Sequence, residues 1–334
     1  MPADTTCITL PGPWRHEHIQ ANGAQFHAAI AGSHTPDKPL VLLVHGFPQY
    51  WWAWRHQIEP LQKAGYHVVA VDQRGIGGSD KTPGAEDGLT LASDLIAIVR
   101  ALGARKAVIV GHGRGGALAW SAVSMEPDLF AGLVTISSPH PRTLHRVGLH
   151  VTFKTWRHVL TSAFTPISGR SLAREKVVRQ LLKEWSAPGN DGATSQAGIY
   201  TQAINLPGAA KIAISQLRWT WSAQRTPSGR TYLRESASSV RIPVLAIRGE
   251  ADPSYLTARG TRTSNSPPAL TTGCASPTPA TSSRKNNPTS PLNYCSTSSR
   301  ESSPKTSLPT GTHQPTRTPH TPACANGTPA DRGK

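Results

Sequence analysis

Apolar and polar positions along the chain fall into blocks whose period switches between two and 3.6, the pattern of strands alternating with helices. Residues Trp14 to Gly32 alternate around Asn22-Gly23, a two-residue turn signal, and predict a β-hairpin. Leu40 to Val44 is wholly apolar, as a strand buried on both faces should be. A helix is expected to end near Ala64, and Tyr66 to Val71 predicts the next strand. Thr90 is the expected N-cap of a helix whose apolar stripe is Leu91, Leu95, Ile98, Val99 and Leu102. Ala107 to Val110 predicts a further buried strand that Gly111 breaks. Helical spacing resumes from Ala117, with Leu118, Trp120, Ala122, Val123 and Met125. Leu133 to Ile136 and Pro243 to Arg248 predict the remaining strands. The long stretch between them, with Trp156, Trp185, Trp219 and Trp221 and helical patterns such as Leu172 to Trp185, predicts an inserted helical cap. The alternation implies an α/β fold with a mostly parallel sheet and helices on both faces.

The pattern stops after Leu256. Ser and Thr supply 28 of the last 78 residues and Pro another 12, while only Leu270, Leu292, Tyr294 and Leu308 are large and apolar. Such a segment cannot bury enough apolar surface to offset the entropy of ordering it, so 257–334 is expected to be a disordered low-complexity tail. The abrupt switch is what a change of reading frame in a GC-rich gene would encode. The domain boundaries expected are 13–137 for the first part of the core, 138–240 for the cap, 241–256 for a last core strand and loop, and 257–334 for the tail.

The net charge of +16 raises the question of nucleic acid. From residue 257 on, nine Lys or Arg face two acidic residues, and in the first 256 residues 26 basic residues face 17 acidic ones. The charges are scattered and make no basic stripe interleaved with aromatics, so no nucleic-acid partner is expected. Cys7, Cys274, Cys295 and Cys324 have neither metal-site nor redox-pair spacing, and no metal or cofactor is expected. No leader pattern and no bilayer-length apolar run are evident, which predicts a cytoplasmic protein.

The chemistry centres on Lys106 to Trp120, read as strand, sharp turn, helix. That geometry projects one residue at the apex of the turn above the end of a sheet, and the apex residue is Gly113. Together H-G-F-P-Q-Y-W-W-A-W-R from His45, D-Q-R-G-I-G-G-S-D-K from Asp72, G-H-G-R-G-G from Gly111 and G-E-A-D-P ending at Pro253 resemble the α/β-hydrolase superfamily, in its epoxide-hydrolase and haloalkane-dehalogenase branch. The resemblance covers about residues 13 to 256. It implies a nucleophile elbow at Gly113, where the branch carries an Asp that attacks the substrate to form an ester. It implies that Asp252 is at the position of the acid that orients a catalytic His, and that the backbone N–H groups of Phe47 and Arg114 form the oxyanion hole. It further places His45, Trp51, Tyr200 and Tyr232 about a pocket for a small apolar substrate.

Two departures stand out. Gly113 has no side chain, so covalent catalysis there is impossible. The His that should follow an eighth strand is not identifiable; His313 and His320 lie in the tail with no strand pattern before them. The expectation is therefore an epoxide-hydrolase-like protein with an impaired or absent nucleophilic step. The alternatives are a non-catalytic apolar-ligand-binding protein on the same scaffold, or a truncated product with no function. Gly111, Gly113 and Gly116 also spell G-x-G-x-x-G, the sign of a dinucleotide-binding module. The strand after them, however, ends in Ser137-Ser138-Pro139 without the acidic residue that would hold a ribose.

Overall fold

In a computed structural model the residues described are 5–82, 86–138, 140–141 and 172–249. Asp252, His313, His320, Trp156 and the whole 257–334 segment lie outside them. The elements, in chain order, begin with β1 (Arg15–Ala21), β2 (Ala24–Ala31), β3 (Leu40–Val44), α1 (Arg55–Lys63) and β4 (Val68–Val71). Next come α2 (Gly88–Ala101), β5 (Ala107–His112), α3 (Arg114–Met125) and β6 (Phe130–Ile136). Last are α4 (Glu175–Trp185), α5 (Ala197–Ile204), α6 (Ala209–Ser222), α7 (Pro227–Glu235) and β7 (Val244–Ile247).

The seven strands form one sheet in the order β1-β2-β4-β3-β5-β6-β7. The β1–β2 hairpin turns on Asn22 and Gly23, both at positive φ, the backbone a two-residue hairpin turn demands. β2 meets β4 antiparallel, and every pair from β4 to β7 is parallel. Alternate residues of the central strands feed two apolar layers. Leu40, Leu42 and Val44 face α2 and α3, joined by Leu95, Ile98, Leu118 and Val123. Val41 and Leu43 face the other way, toward Trp51, Ile58 of α1, Val178 of α4 and Tyr200 of α5. All five residues of β3 are buried, so truncating one, Leu42→Ala for instance, should cost about 2–5 kcal/mol.

A buried ion pair places α2. Arg74 donates to both carboxylate oxygens of Asp94, at 2.7 and 2.5 Å, and to the Asn22 carbonyl at 2.8 Å. The hairpin turn, the loop after β4 and α2 are thereby tied together.

Four sequence expectations need correction. α2 is capped by Asp87, whose carboxylate accepts from the backbone N–H of Leu89 and Thr90, so Thr90 lies in the first turn and is not the cap. β5 runs through Gly111 to His112 because both residues keep their register with β6. α3 begins at Arg114, three residues before the apolar spacing becomes visible, because Gly115 and Gly116 show no pattern. β6 starts at Phe130 rather than Leu133.

At the far edge, β7 is partnered only by β6 among the described residues, and Leu245 and Ile247 are 40% and 45% exposed. No helix among the described residues is long and apolar enough to cross a membrane.

Candidate active site

Three neighbouring strands deliver the site. β3 ends at Val44 and passes into His45-Gly46-Phe47, followed by a cis Phe47–Pro48 peptide. β4 ends at Val71 and passes into Asp72-Gln73-Arg74. β5 ends at His112, and Gly113 turns the chain into α3 with φ 52° and ψ −119°.

The elbow's glycines have different reasons to be there. A Cβ on Gly115 would collide with the carbonyls of His45 and Val44. One on Gly111 would lie 2.5 Å from the Gly116 Cα, and one on Gly116 would lie 2.5 Å from the Ser138 Cβ. These three allow strand, helix and neighbouring loop to approach closely. Gly113 is different. A Cβ there would have Gly46 Cα, 3.9 Å away, as its nearest non-adjacent neighbour. Space for a side chain exists at the apex, and only the left-handed backbone opposes one. Gly113 is anchored by its own N–H, which donates to the Ile136 carbonyl at 2.9 Å. Among the described residues the N–H groups of Phe47 and Arg114 donate to nothing.

His45 is buried and both its ring nitrogens are engaged. Nδ1 donates to the Gly46 carbonyl at 2.9 Å, so Nε2 accepts from the Gln73 backbone N–H at 3.1 Å. Burial is the main reason its pKa falls to about 4, with the Asp72 carboxylate pulling the other way. The Gln73 side chain then links the two loops, donating to the His45 carbonyl and accepting from Arg114 Nη2 at 2.9 Å. The Arg114 guanidinium is pushed down to about 10 by burial, a change the nearby Tyr232 opposes.

The aromatic candidates are equally committed. Trp51 is fully buried, its indole donating to the Ile8 carbonyl at 2.8 Å and its backbone N–H to Asp72 Oδ1 at 2.8 Å. Tyr232 is buried and its pKa is raised by that burial, with Ser121 and Ser236 nearby opposing the rise, while its ring meets Trp219 edge-on at 5.3 Å. Tyr200 is buried edge-on to Tyr50, with ring centroids 6.0 Å apart, and burial raises its pKa while the nearby Arg55 opposes the rise. Gln49 is a link to the elbow, since its Oε1 lies 3.1 Å from His112 Nδ1. His112 in turn lies against Gly46, where an added Cβ would be 2.8 Å from Nδ1.

Beside the elbow lies a cavity of about 20 Å³, lined by Leu91, Arg114, Leu118, Trp219 and Tyr232 with Glu86 on its wall. That volume holds about one water.

What sequence reasoning missed is Asp72. It was visible only as the first letter of a Gly-rich motif. In the structure it is fully buried, with Oδ1 on the Trp51 N–H and Oδ2 on His27 Nδ1 at 2.8 Å and the Gly78 N–H at 2.9 Å. Burial alone would raise its pKa, but these donors, His27 foremost, hold it below the usual carboxylate value. An Asp at a strand end with Gly residues after it was the available signal; its partner His27 is 45 residues away in sequence.

A sheet ending in this elbow, with the first-loop His-Gly beside it, defines a hydrolase scaffold. The model of the alpha/beta hydrolase fold family matches residues 39–255, and the chain belongs to that family, in its epoxide-hydrolase-like branch. Epoxide hydrolase 4 of Mus musculus is 38% identical over 74% of this chain and 68% of its own length. The AB hydrolase superfamily protein YfhM of Bacillus subtilis is 41% identical over 39% of this chain and 46% of its own length. Epoxide hydrolase 3 of Xenopus tropicalis is 37% identical over 43% of the chain and 39% of its own length. The chain thus spans less than half of several of the curated relatives it matches. Among solved structures, Epoxide Hydrolase A from Mycobacterium thermoresistibile superposes with a TM-score of 0.59 at 25% identity, over 72% of this chain and 83% of that one. In such a fold the G-x-G-x-x-G spelling is the elbow, and no dinucleotide reading is needed.

Proposed function

We propose that this chain binds a small apolar molecule on an epoxide-hydrolase-like scaffold and does not form the covalent ester on which that chemistry depends. The observation that carries the reading is Gly113. The elbow is fully built around it, with open space at the apex, yet no side chain is there to attack. Phe47 and Arg114 supply the backbone N–H groups of the oxyanion hole by resemblance, at the end of the first loop and the start of α3. Asp252 keeps the acid position by resemblance. Helices α4 to α7 belong to the cap that closes over the site.

The side-chain roles expected from sequence are redistributed. His45 is a support that fixes the Gln73 loop, because both its nitrogens are taken. Trp51 and Tyr232, both buried, are likewise structural. Tyr200, buried against Tyr50, is structural in the same way. A second reading, a product with no function of its own, is favoured by β7, which is paired on one side only among the described residues and has Leu245 and Ile247 40% and 45% exposed.

The experiment is a thermal-shift titration with an aryl epoxide and an aryl ester, alongside product assays on the same samples. The binding reading expects a raised melting temperature without product. No shift with any apolar ligand supports the second reading, and a stoichiometric covalent adduct that clears with product release refutes both.

A further inference from the structure

A chain of titratable groups runs from Asp72, at the rim of the site, out to the β1–β2 hairpin. Asp72 Oδ2 is 2.8 Å from His27 Nδ1, His27 Nε2 is 3.0 Å from His16 Nδ1, and His16 Nε2 is 3.0 Å from the Leu10 carbonyl oxygen. The two imidazoles stack with centroids 5.2 Å apart, and Trp51 closes the far side, 5.0 Å from His16. The rings connect the segment before β1 with the buried end of β4.

The protons in this chain can be counted. The Leu10 carbonyl has no proton to give, so His16 Nε2 donates to it. Asp72 already accepts two backbone N–H groups and is held in its ionised form, against the desolvation that would raise its pKa, by those donors and His27. His27 Nδ1 therefore donates to it. The bond between the rings needs a third proton, on His27 Nε2 or His16 Nδ1. Two neutral imidazoles carry only two.

We propose that His16 and His27 share a third proton, so that Asp72 carboxylate and one imidazolium form a buried, charge-balanced latch that fastens the segment around Leu10 to the core. A buried carboxylate without a countercharge is costly, which is why the proton is held. The shared proton lies between His27 Nε2 and His16 Nδ1, 3.0 Å apart. When it leaves, two protons remain for three hydrogen bonds. Asp72 keeps its donor, and the break falls at His16. Around the latch stand His18 on β1, with its ring 5.8 Å from His27, and His45, Tyr50 and Lys81, each of which feels the Asp72 charge.

The neighbouring contacts show what the latch holds. The Trp51 indole donates to the Ile8 carbonyl, the Tyr50 hydroxyl to the Cys7 carbonyl at 2.7 Å, and the Trp14 indole to the Leu10 carbonyl at 2.9 Å. Asp72 also holds the Trp51 N–H at the end of the loop that carries Phe47. Opening the latch therefore loosens the N-terminal segment on the side of the fold that positions the first site loop.

The test is ring-nitrogen NMR of the full chain labelled with ¹⁵N-histidine, titrated across neutral pH. At pH 8 an ordinary imidazole, with a pKa of about 6.5, is only ~3% charged. The latch predicts three nitrogen-bound protons on the two rings at that pH, and a Trp51 indole resonance that moves with the same midpoint as the loss of the third. His16→Gln offers an acceptor to His27 and a donor to Leu10, and should leave the midpoint within about half a pH unit. His16→Leu offers neither, and should lower it by about one unit or more, a tenfold loss of proton affinity for a charge-assisted hydrogen bond. Two protons on the pair at pH 8, or an unchanged midpoint in His16→Leu, overturns the shared proton. A Trp51 resonance that ignores the titration overturns the latch.

Discussion

The ends of β4 and β5 lie in the same sheet on either side of β3 and treat their functional positions in opposite ways. At the end of β4, Asp72 has donors from three elements on its two oxygens and no contact with solvent. At the end of β5, Gly113 has the backbone of an elbow, donors nearby, open space above it and no side chain. The first is a charge whose removal would disturb three neighbouring segments. The second is a position whose emptiness costs the fold nothing, and spares it the strain of a side chain at positive φ. Architecture and chemistry occupy strand ends separated only by β3, yet only the architecture is energetically self-enforcing.

Four measurements bear on that contrast. The largest effect is expected at the β4 end: Asp72→Ala leaves His27 and the Trp51 and Gly78 N–H groups unpartnered, and should cost about 3–5 kcal/mol in denaturant melts. A loss under 1 kcal/mol would mean that the loops do not depend on the carboxylate.

Next is pH. His45 has a folded pKa of about 4, below the unfolded value near 6.5. Between those values the unfolded chain binds a proton that the folded chain refuses, so stability is lost as pH falls from about 6.5 to about 4. The loss from this group is at most about 3 kcal/mol. Asp72, with its lowered pKa, adds a further loss only below the ordinary carboxylate range. Urea melts at pH 7 and 4.5 should show the slope, and His45→Asn should flatten it whatever its own stability.

The glycines come third. Gly115→Ala drives a Cβ into two backbone carbonyls and should cost roughly 3 kcal/mol, whereas Gly113→Ala meets only backbone strain, about 1–2 kcal/mol. Gly113→Asp should cost a similar amount. Reversal of the Gly113 and Gly115 ranking would show that the apex is not open. Smallest is the β7 edge: Leu245→Thr with Ile247→Thr should change stability by within about 0.5 kcal/mol while raising solubility, since both side chains already face water.

The same contrast governs what could be read from the chain. The apolar blocks of β3, β4 and α2 stood out because period and burial are local properties of adjacent residues. The elbow stood out because the close approach of β5 and α3 requires Gly111, Gly115 and Gly116 in a fixed spacing. Those same glycines hide the first turn of α3, and the Gly88 that follows Asp87 hides it as a cap. The roles of His45, Tyr232 and Asp72 were not legible. Their partners are Gln73, Trp219 and His27, which only the fold brings within reach.

The central claim is that the elbow persists without its nucleophile. Intact-mass analysis after mixing the full chain with an activated aryl ester, or with an aryl epoxide under single-turnover conditions, tests it most directly. The account predicts unmodified protein at every time point, with any slow product arising at no more than the rate left by binding and oxyanion donors alone, about a millionfold below a complete site. A stoichiometric adduct that maps to residues 107–125 and clears with product release would contradict it.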